Sequence, residues 1–173
     1  MASKPSYGNV VELATFDTVR IGRPETTSDR YGDFKGKKGV GFVGYRTSLY
    51  AQDWFDSSTE RDAANVLDDA PAITLWARLQ IGDLPILWTG AREYNPDFIA
   101  VDTEHTHWLI EVKMDKEMTS AEVQGKREAA RRWANYVSGD ETVGTRWRYL
   151  LVSESDVKMA RGSWEALKGL GGH

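Results

Sequence analysis

Apolar residues form two neighbouring strand-like segments near the middle of the chain, and charged residues stand out in both. The first covers residues 94–101 and the second residues 108–113, with a short polar stretch, residues 102–107, between them. This pattern predicts two strands joined as a hairpin. Because side chains two positions apart share a face of a strand, Glu111 and Lys113 are expected to point to the same side of the sheet.

A helical period occurs on both sides of this hairpin. Residues 57–69 begin with a capping box formed by Ser57 and Glu60 and continue with apolar residues at helical spacing. Residues 119–137 begin with a second capping box and carry Ala130, Trp133, Ala134 and Val137 on one face. The hairpin is therefore expected to lie between two amphipathic helices.

The remaining apolar runs predict further strands and one more helix. Strands are expected over residues 10–21, 40–50, 73–79, 84–88 and 146–152, and a short helix over residues 161–167. Residues 22–39 are rich in Gly, Lys and Asp without a period, which is typical of a loop. The order favours an α/β fold, a mixed β-sheet with helices on both faces. We divide the chain into a β-rich N-terminal extension or arm, residues 1–45, and a main domain, residues 46–173.

The composition is that of a globular protein without a membrane segment. The 173 residues suit one α/β domain, and 40% of them are hydrophobic and 28% charged. No apolar run approaches the roughly 20 residues that span a bilayer. With 0 Cys, the sequence excludes disulfides, zinc–thiolate sites and a cysteine nucleophile. We expect a cytoplasmic protein.

Charge is unevenly distributed along the chain. The net charge of -4 argues against a protein that coats nucleic acid by bulk electrostatics. Residues 20–46 nevertheless hold seven basic and three acidic side chains, whereas residues 53–69 hold six acidic and one basic. Such a division can keep cations in one place and phosphates in another. The basic segment is a candidate arm for gripping DNA, and an ordinary solvated surface is the alternative.

The predicted hairpin brings together residues that suit metal chemistry. Asp97 enters the first strand behind Pro96, and Glu111 and Lys113 lie on the second. Two carboxylates and an ammonium at one sheet edge can hold a divalent cation on a phosphodiester and activate a water. The alternatives are a turn acid at Asp97 and a cross-strand ion pair at Glu111.

Several short motifs resemble the PD-(D/E)xK nuclease superfamily. They are Ser48-Leu49-Tyr50, Phe55-Asp56-Ser57, Glu60-Arg61, Tyr94-Asn95-Pro96-Asp97-Phe98 and Ile110-Glu111-Val112-Lys113. Over residues 46–153 the chain is similar to the C-terminal endonuclease domain of type III restriction enzymes. This resemblance implies a restriction-endonuclease-like core of the order αβββαβ. It also implies a metal-dependent DNA endonuclease that serves restriction, phage defence or repair.

The resemblance also assigns metal ligands. It implies that Asp97 and Glu111 bind Mg²⁺, for which Mn²⁺ would substitute, and that the Val112 carbonyl is a third ligand. It adds Glu60, which reaches the site from the first helix. For Glu60 the capping box with Ser57 is the alternative account.

Other polar residues receive roles in the reaction. The resemblance implies that Lys113 holds the attacking water or stabilises charge on the phosphoryl group, and that cleavage leaves a 5′-phosphate. Gln124 matches a polar position that relatives place near the site, with a solvated helix position as the alternative. Contacts to DNA phosphates are candidate roles for Lys116, Lys126, Arg127, Arg131 and Arg132. For each of these basic residues a solvated helix face is the alternative.

The expected partners are DNA and another protein. Type III relatives place this domain behind a helicase-type motor, and no Walker motif occurs in this sequence. We therefore expect any motor or modification subunit on another polypeptide or in a removed part of a longer one, and a homodimer is possible. One rival is a catalytically weak module that binds nucleic acid or a helicase. Others are an RNA-directed or structure-specific nuclease such as a junction resolvase, and an α/β domain with a coincidental motif.

Overall fold

The computed structural model describes residues 26–35 and 39–172, which form α-helices and β-strands in a mixed arrangement. The strands are β1 Thr27–Asp29, β2 Gly41–Val43, β3 Gln52–Asp53, β4 Ile73–Arg78, β5 Ile86–Thr89, β6 Arg92–Tyr94, β7 Phe98–Asp102, β8 Thr106–Lys113 and β9 Arg146–Ser153. The helices are α1 Ser58–Asp69, α2 Ala121–Gly139, α3 Glu154–Ala160 and α4 Trp164–Leu170, with a 3₁₀ turn at Asp115–Glu117.

The main sheet has four strands in the order β4-β7-β8-β9. Strands β4, β7 and β8 are antiparallel, and β9 is parallel to β8. A parallel neighbour needs a crossover connection, which α2 provides between β8 and β9. The predicted fold class, a mixed sheet flanked by helices, is confirmed.

Each face of this sheet carries its own hydrophobic core. On one face α1, α3 and α4 pack on side chains such as Trp76, Phe98 and Ile110. On the other face α2 and the β5–β6 hairpin pack on Leu109, Tyr149 and Leu151 among others. Strand β8 supplies both cores, because its successive side chains alternate between the faces, and it is buried along nearly its whole length.

Helix α1 begins where the capping box predicts. The Ser57 hydroxyl accepts a hydrogen bond from the Glu60 N–H at 3.2 Å. Near its other end the buried Asp68 carboxylate accepts from the Thr47 N–H at 2.9 Å and from the Trp76 indole N–H at 3.1 Å. Arg30 reaches the same carboxylate at 2.6 Å. Asp68 therefore ties the segment before α1 to the helix and to β4.

The β7–β8 hairpin is tighter than the sequence predicts. The Asp102 carboxylate accepts from the Thr106 N–H at 2.8 Å and from the Trp108 indole N–H at 2.9 Å. These hydrogen bonds close the turn within residues 103–105, whereas the sequence predicted a turn over residues 102–107. His107 consequently lies in β8 and not in the turn. Its ring is buried and stacks on Trp147 with centroids 4.7 Å apart, and burial lowers its pKa.

The end of the described chain differs from the prediction. In place of one helix over residues 161–167, two short helices occur, α3 and α4. A reciprocal capping box of Ser153 and Asp156 starts α3 directly at the end of β9. Arg161 ends α3 in the left-handed conformation, with φ of 48°, and Ser163 caps α4. The predicted short helix corresponds to α4, which begins and ends three residues later than expected, and α3 was not predicted.

The N-terminal expectations have mixed outcomes. The strand over residues 10–21 lies outside the described residues. The expected loop over residues 22–39 contains β1, which pairs in parallel with β2, so this part of the prediction was wrong. Arg30, counted in the basic arm, is buried against Asp68 and Asp69 and so cannot grip DNA. Within residues 26–35 and 39–172, no helix is both long and apolar enough to cross a membrane.

Candidate metal centre

The backbone of Asp97 is fixed between two strands of the main sheet. Its N–H donates to the Ile110 carbonyl on β8 at 3.0 Å, and its own carbonyl accepts from the Leu79 N–H at 2.8 Å. Phe98, the next residue, pairs with Ile110 in the β7–β8 register. Asp97 is thus held directly before the first residue of β7, next to Glu111 on the neighbouring strand β8.

Glu111 and Lys113 share the face of β8 that the alternation predicts. The Lys113 ammonium nitrogen lies 2.5 Å from Glu111 Oε1. It also donates to the Val112 carbonyl oxygen at 3.2 Å and lies 3.8 Å from Asp97 Oδ2. One ammonium therefore contacts, or closely approaches, an oxygen of each of the three residues Asp97, Glu111 and Val112.

Asp97 is further fixed by the backbone of β8. Its Oδ2 accepts from the Val112 N–H at 2.7 Å. The peptide units around Val112 thus hold the Asp97 carboxylate through the N–H and present a carbonyl oxygen to the Lys113 ammonium. This geometry follows from the position of Asp97, one residue before the last β7–β8 register pair.

Burial and mutual interaction shift the pKa values of Asp97, Glu111 and Lys113. The Glu111 side chain is 4% exposed, whereas Asp97 and Lys113 are 24% and 22% exposed. Burial and the neighbouring Asp97 charge raise the pKa of Glu111 to about 8, against the lowering influence of Lys113. Burial likewise raises the pKa of Asp97. For Lys113, burial lowers the pKa, but the two carboxylates outweigh it and raise the pKa to about 12.

The second oxygen of Glu111 is not satisfied by the cluster. Oε2 is buried, and within the described residues it has no hydrogen-bond partner. An unsatisfied buried carboxylate oxygen is costly, so a hydrogen-bond donor is favoured at this place. Carboxylate and carbonyl oxygens are the donors that Mg²⁺ prefers. No group of three or more His, Cys, Asp or Glu side chains suited to a metal occurs in residues 26–35 and 39–172, so the fit rests on two carboxylates and a backbone oxygen.

Glu60 occupies the edge of this cluster but is engaged elsewhere. Its Oε1 accepts from the Ser57 hydroxyl at 3.1 Å, and its Oε2 lies 3.3 Å from Arg78 Nη2. The same guanidinium nitrogen lies 3.0 Å from Asp56 Oδ2. The negative charge of Glu60 also raises the pKa of Asp97, but this effect is smaller than that of burial. The structure thus shows the capping role and an ion pair.

Gln124 lies in the first turns of α2 and is used within that helix terminus. Its Nε2 donates to the Met118 carbonyl at 2.6 Å, and its Oε1 accepts from Arg127 Nη1 at 3.4 Å. These contacts hold the turn that leads into α2. Arg127 is half-buried, and its guanidinium packs beside Gly172, where an added Cβ would lie 3.2 Å from Nη2. Arg127 therefore faces the protein more than the solvent.

The other basic residues on this side differ in their surroundings. Lys126 lies 2.6 Å from Glu122 and stands over the rings of Trp88 and Tyr94, 5.5 and 5.7 Å from their centroids. Its charge also lowers the pKa of Glu111, which places it on the cluster's side of the sheet. Lys116, Arg131 and Arg132 are exposed. These three and Lys126 remain the candidates for phosphate contact.

Sequence reasoning missed two residues beside the cluster. Arg78, on β4, is 7% exposed, and its charge lowers the pKa of Asp97. Tyr149, on β9, is 3% exposed on the same face as Glu111. A lone Arg at the end of an apolar strand was a detectable anomaly, whereas a Tyr in an apolar strand gives no such indication.

Comparison of the chain with protein-family models, with curated proteins and with solved structures finds no significant match.

Proposed function

We propose that this chain is a Mg²⁺-dependent nuclease domain of the PD-(D/E)xK type, which hydrolyses phosphodiester bonds of DNA. The observation that carries the proposal is the placement of the Lys113 ammonium among three oxygens. It lies 2.5 Å from Glu111 Oε1, 3.2 Å from the Val112 carbonyl and 3.8 Å from Asp97 Oδ2. A positive charge is held there by the same three groups that were predicted to hold the cation.

The order of elements supports the same proposal. Helix α1, strands β4, β7 and β8, helix α2 and strand β9 follow one another around the cluster, with the β5–β6 hairpin inserted after β4. This is the αβββαβ order that the resemblance implies. A shared order of elements does not by itself carry function, so the weight of the proposal rests on the cluster.

Asp97, Glu111 and the Val112 carbonyl would hold the cation, since they are the oxygens gathered at this edge. Bound there, Mg²⁺ supplies positive charge to the phosphate and acidifies a water molecule. The Lys113 ammonium, released from Glu111, would hold the attacking water or donate to a phosphoryl oxygen and so stabilise charge that develops in the transition state. Glu60 would have to give up its ion pair with Arg78 before it could add an oxygen to this set.

Metal titration tests the site. Isothermal titration of Mn²⁺ into the native protein should give binding that is lost in Asp97→Asn, while both proteins unfold at similar temperatures in EDTA. The amide introduced by this change retains an oxygen to accept from the Val112 N–H, so the fold should survive the substitution. Equal Mn²⁺ affinity in the two proteins would contradict the site assignment.

A second candidate function is a nuclease-fold module that binds nucleic acid or a helicase partner and cleaves weakly. The observation in its favour is the engagement of Glu60 by Ser57 and Arg78, which leaves two carboxylates at the cluster. Such a module would retard DNA on a native gel in EDTA without nicking it when Mg²⁺ or Mn²⁺ is added. Metal-dependent nicking by the native chain would exclude it.

A further inference from the structure

Two buried polar atoms lie without partners on the α2 side of the sheet. One is Glu111 Oε2, and the other is the hydroxyl oxygen of Tyr149, which is 3% exposed. Within the described residues, neither has a hydrogen-bond partner. Buried donors and acceptors are nearly always satisfied, so two such atoms in one region need a physical explanation.

The sheet register brings these two side chains together. Strands β8 and β9 are parallel, with Leu109 paired to Tyr149 and Glu111 paired to Leu151. Residues in register on parallel strands share a face, and so do residues two apart on one strand. Tyr149 and Glu111 are therefore diagonal neighbours on the face that α2 covers. Burial raises the pKa of the Tyr149 hydroxyl, and the charge of Glu111 raises it further, which agrees with their proximity.

The two oxygens of Glu111 thus face different surroundings. Oε1 is bound by the Lys113 ammonium at 2.5 Å, on the side of Asp97. Oε2 is buried and, within the described residues, is bound by no hydrogen-bond donor. Residues that hydrogen-bond a metal-ligating carboxylate orient it and sharpen its affinity.

We propose that Tyr149 is a positioning residue, whose hydroxyl donates to Glu111 Oε2 through one water molecule and so turns Oε1 toward the cation. This inference rests on the proposed function for its consequence, since Glu111 must be a metal ligand for the orientation to matter. The proposed water bridge between Tyr149 and Glu111 does not depend on it. A buried water between two polar groups is an ordinary part of protein structure.

Tyr94 offers a matched control for Tyr149. It is also a buried tyrosine whose pKa is raised by burial and then by Glu111, but its hydroxyl donates to the Lys126 carbonyl at 2.9 Å. Phenylalanine at either position keeps the ring and removes only the hydroxyl. Tyr94→Phe removes one donor to a carbonyl within α2, whereas Tyr149→Phe removes a hydroxyl for which the described residues supply no partner.

The first arm of the test is independent of metal. Urea unfolding in EDTA is compared for the native protein, Tyr149→Phe, Glu111→Gln and the double variant, with a second cycle that uses Tyr94→Phe. The proposal predicts that the effects of Tyr149→Phe and Glu111→Gln are not additive, whereas those of Tyr94→Phe and Glu111→Gln are closer to additive. Additive effects for Tyr149 and Glu111 would overturn the contact.

The second arm measures Mn²⁺ affinity by isothermal titration. Tyr149→Phe should weaken binding roughly tenfold without lowering the unfolding temperature in EDTA, because hydrogen-bond partners of metal ligands have effects of this size. Tyr94→Phe should bind Mn²⁺ as the native protein does. Native affinity in Tyr149→Phe would overturn the positioning role. Absence of Mn²⁺ binding by the native protein would overturn the proposed function, and the positioning role with it, even if the first arm shows the contact.

Discussion

Lys113 Nζ lies 2.5 Å from Glu111 Oε1 on the same face of β8. The pair is partly withdrawn from solvent, since Glu111 is 4% exposed and Lys113 is 22% exposed. In the absence of metal the ammonium offsets only part of the cost of burying this carboxylate, and Oε1 is also the oxygen that a cation would need. We therefore propose two roles for Lys113, as a competitor of the cation and as a donor in the reaction.

Removal of Lys113 should strengthen metal binding while it abolishes cleavage. In Lys113→Ala the three oxygens no longer hold an ammonium, so Mn²⁺ has no internal competitor. The loss of Lys113 also raises the pKa of Glu111 further, so the titration is made well above pH 8, the approximate pKa of Glu111 in the native protein. Isothermal titration should give a lower Kd than for the native chain.

Lys158→Ala is the matched control for that comparison. Lys158 also lies 2.5 Å from a glutamate, Glu154, but its side chain is 70% exposed and lies on α3. It should bind Mn²⁺ as the native protein does. Weaker Mn²⁺ binding in Lys113→Ala would show that the ammonium supports the site and does not compete for it.

Glu111 should make the metal-free protein less stable as pH rises. Its pKa is raised from 4.5 to about 8, so the folded state binds the proton more tightly than the unfolded state. The contribution of Glu111 to the free energy of unfolding is then fully present below pH 4.5 and is lost between about pH 4.5 and 8. Asp97, Lys113 and Lys126 are the charged groups that act on Glu111, and Asp97 adds a slope of the same sign.

Urea unfolding over this pH range, in EDTA, measures the effect. Glu111→Gln should remove most of the fall in stability, and Glu165→Gln, a change at an exposed position, should leave it as in the native protein. An unchanged pH dependence in Glu111→Gln would mean that Glu111 is ionised without cost in the folded protein.

Glu60→Gln separates the capping role of Glu60 from metal binding. The amide keeps an oxygen that can accept from the Ser57 hydroxyl. It loses the negative charge that pairs with the Arg78 guanidinium, and the Arg78 side chain is only 8% exposed. Loss of a charge beside a nearly buried partner lowers stability. We expect a lower unfolding temperature and a much smaller loss of Mn²⁺ affinity than in Asp97→Asn. Loss of Mn²⁺ binding equal to that of Asp97→Asn would make Glu60 a principal ligand.

Asp68→Asn should destabilise the fold without touching the metal site. The side chain is fully buried and accepts from Arg30, Thr47 and Trp76. Breaking a buried ion pair on one side costs about 3–5 kcal/mol. Asp69→Asn is the control, because Asp69 binds the same Arg30 but is 35% exposed. Urea unfolding measures both, and a smaller loss at position 68 than at position 69 would contradict the role of Asp68 as the anchor.

The sequence was sufficient to predict the parts of the site that follow from local periodicity. Alternation in β8 placed Glu111 and Lys113 on one face, and the hairpin placed Asp97 beside them. Likewise the Ser57–Glu60 capping box correctly marked the start of α1. These features depend on residues close in sequence, where a period of 2 or a cap spacing carries the information.

Features that depend on distant residues were not predicted. Arg78 meets Glu60 across the gap between β4 and α1, and Tyr149 meets the Glu111 side of the sheet only through the parallel β8–β9 pairing. The pairing of β1 with β2 was also missed, since three-residue strands have too little alternation to detect. The caps at Ser153 and Ser163 depend on neighbouring residues, so the starts of α3 and α4 were predictable from the sequence but were not predicted.

Plasmid nicking tests the central claim most directly. Supercoiled plasmid is incubated with the native protein in Mg²⁺, in Mn²⁺ and in EDTA, with Lys113→Ala, Asp97→Asn and the control Lys158→Ala alongside. We expect nicking by the native protein and Lys158→Ala with either metal, none in EDTA, and none by the two site variants. Nicking that survives in Asp97→Asn, or no nicking by the native protein with either metal, would contradict it.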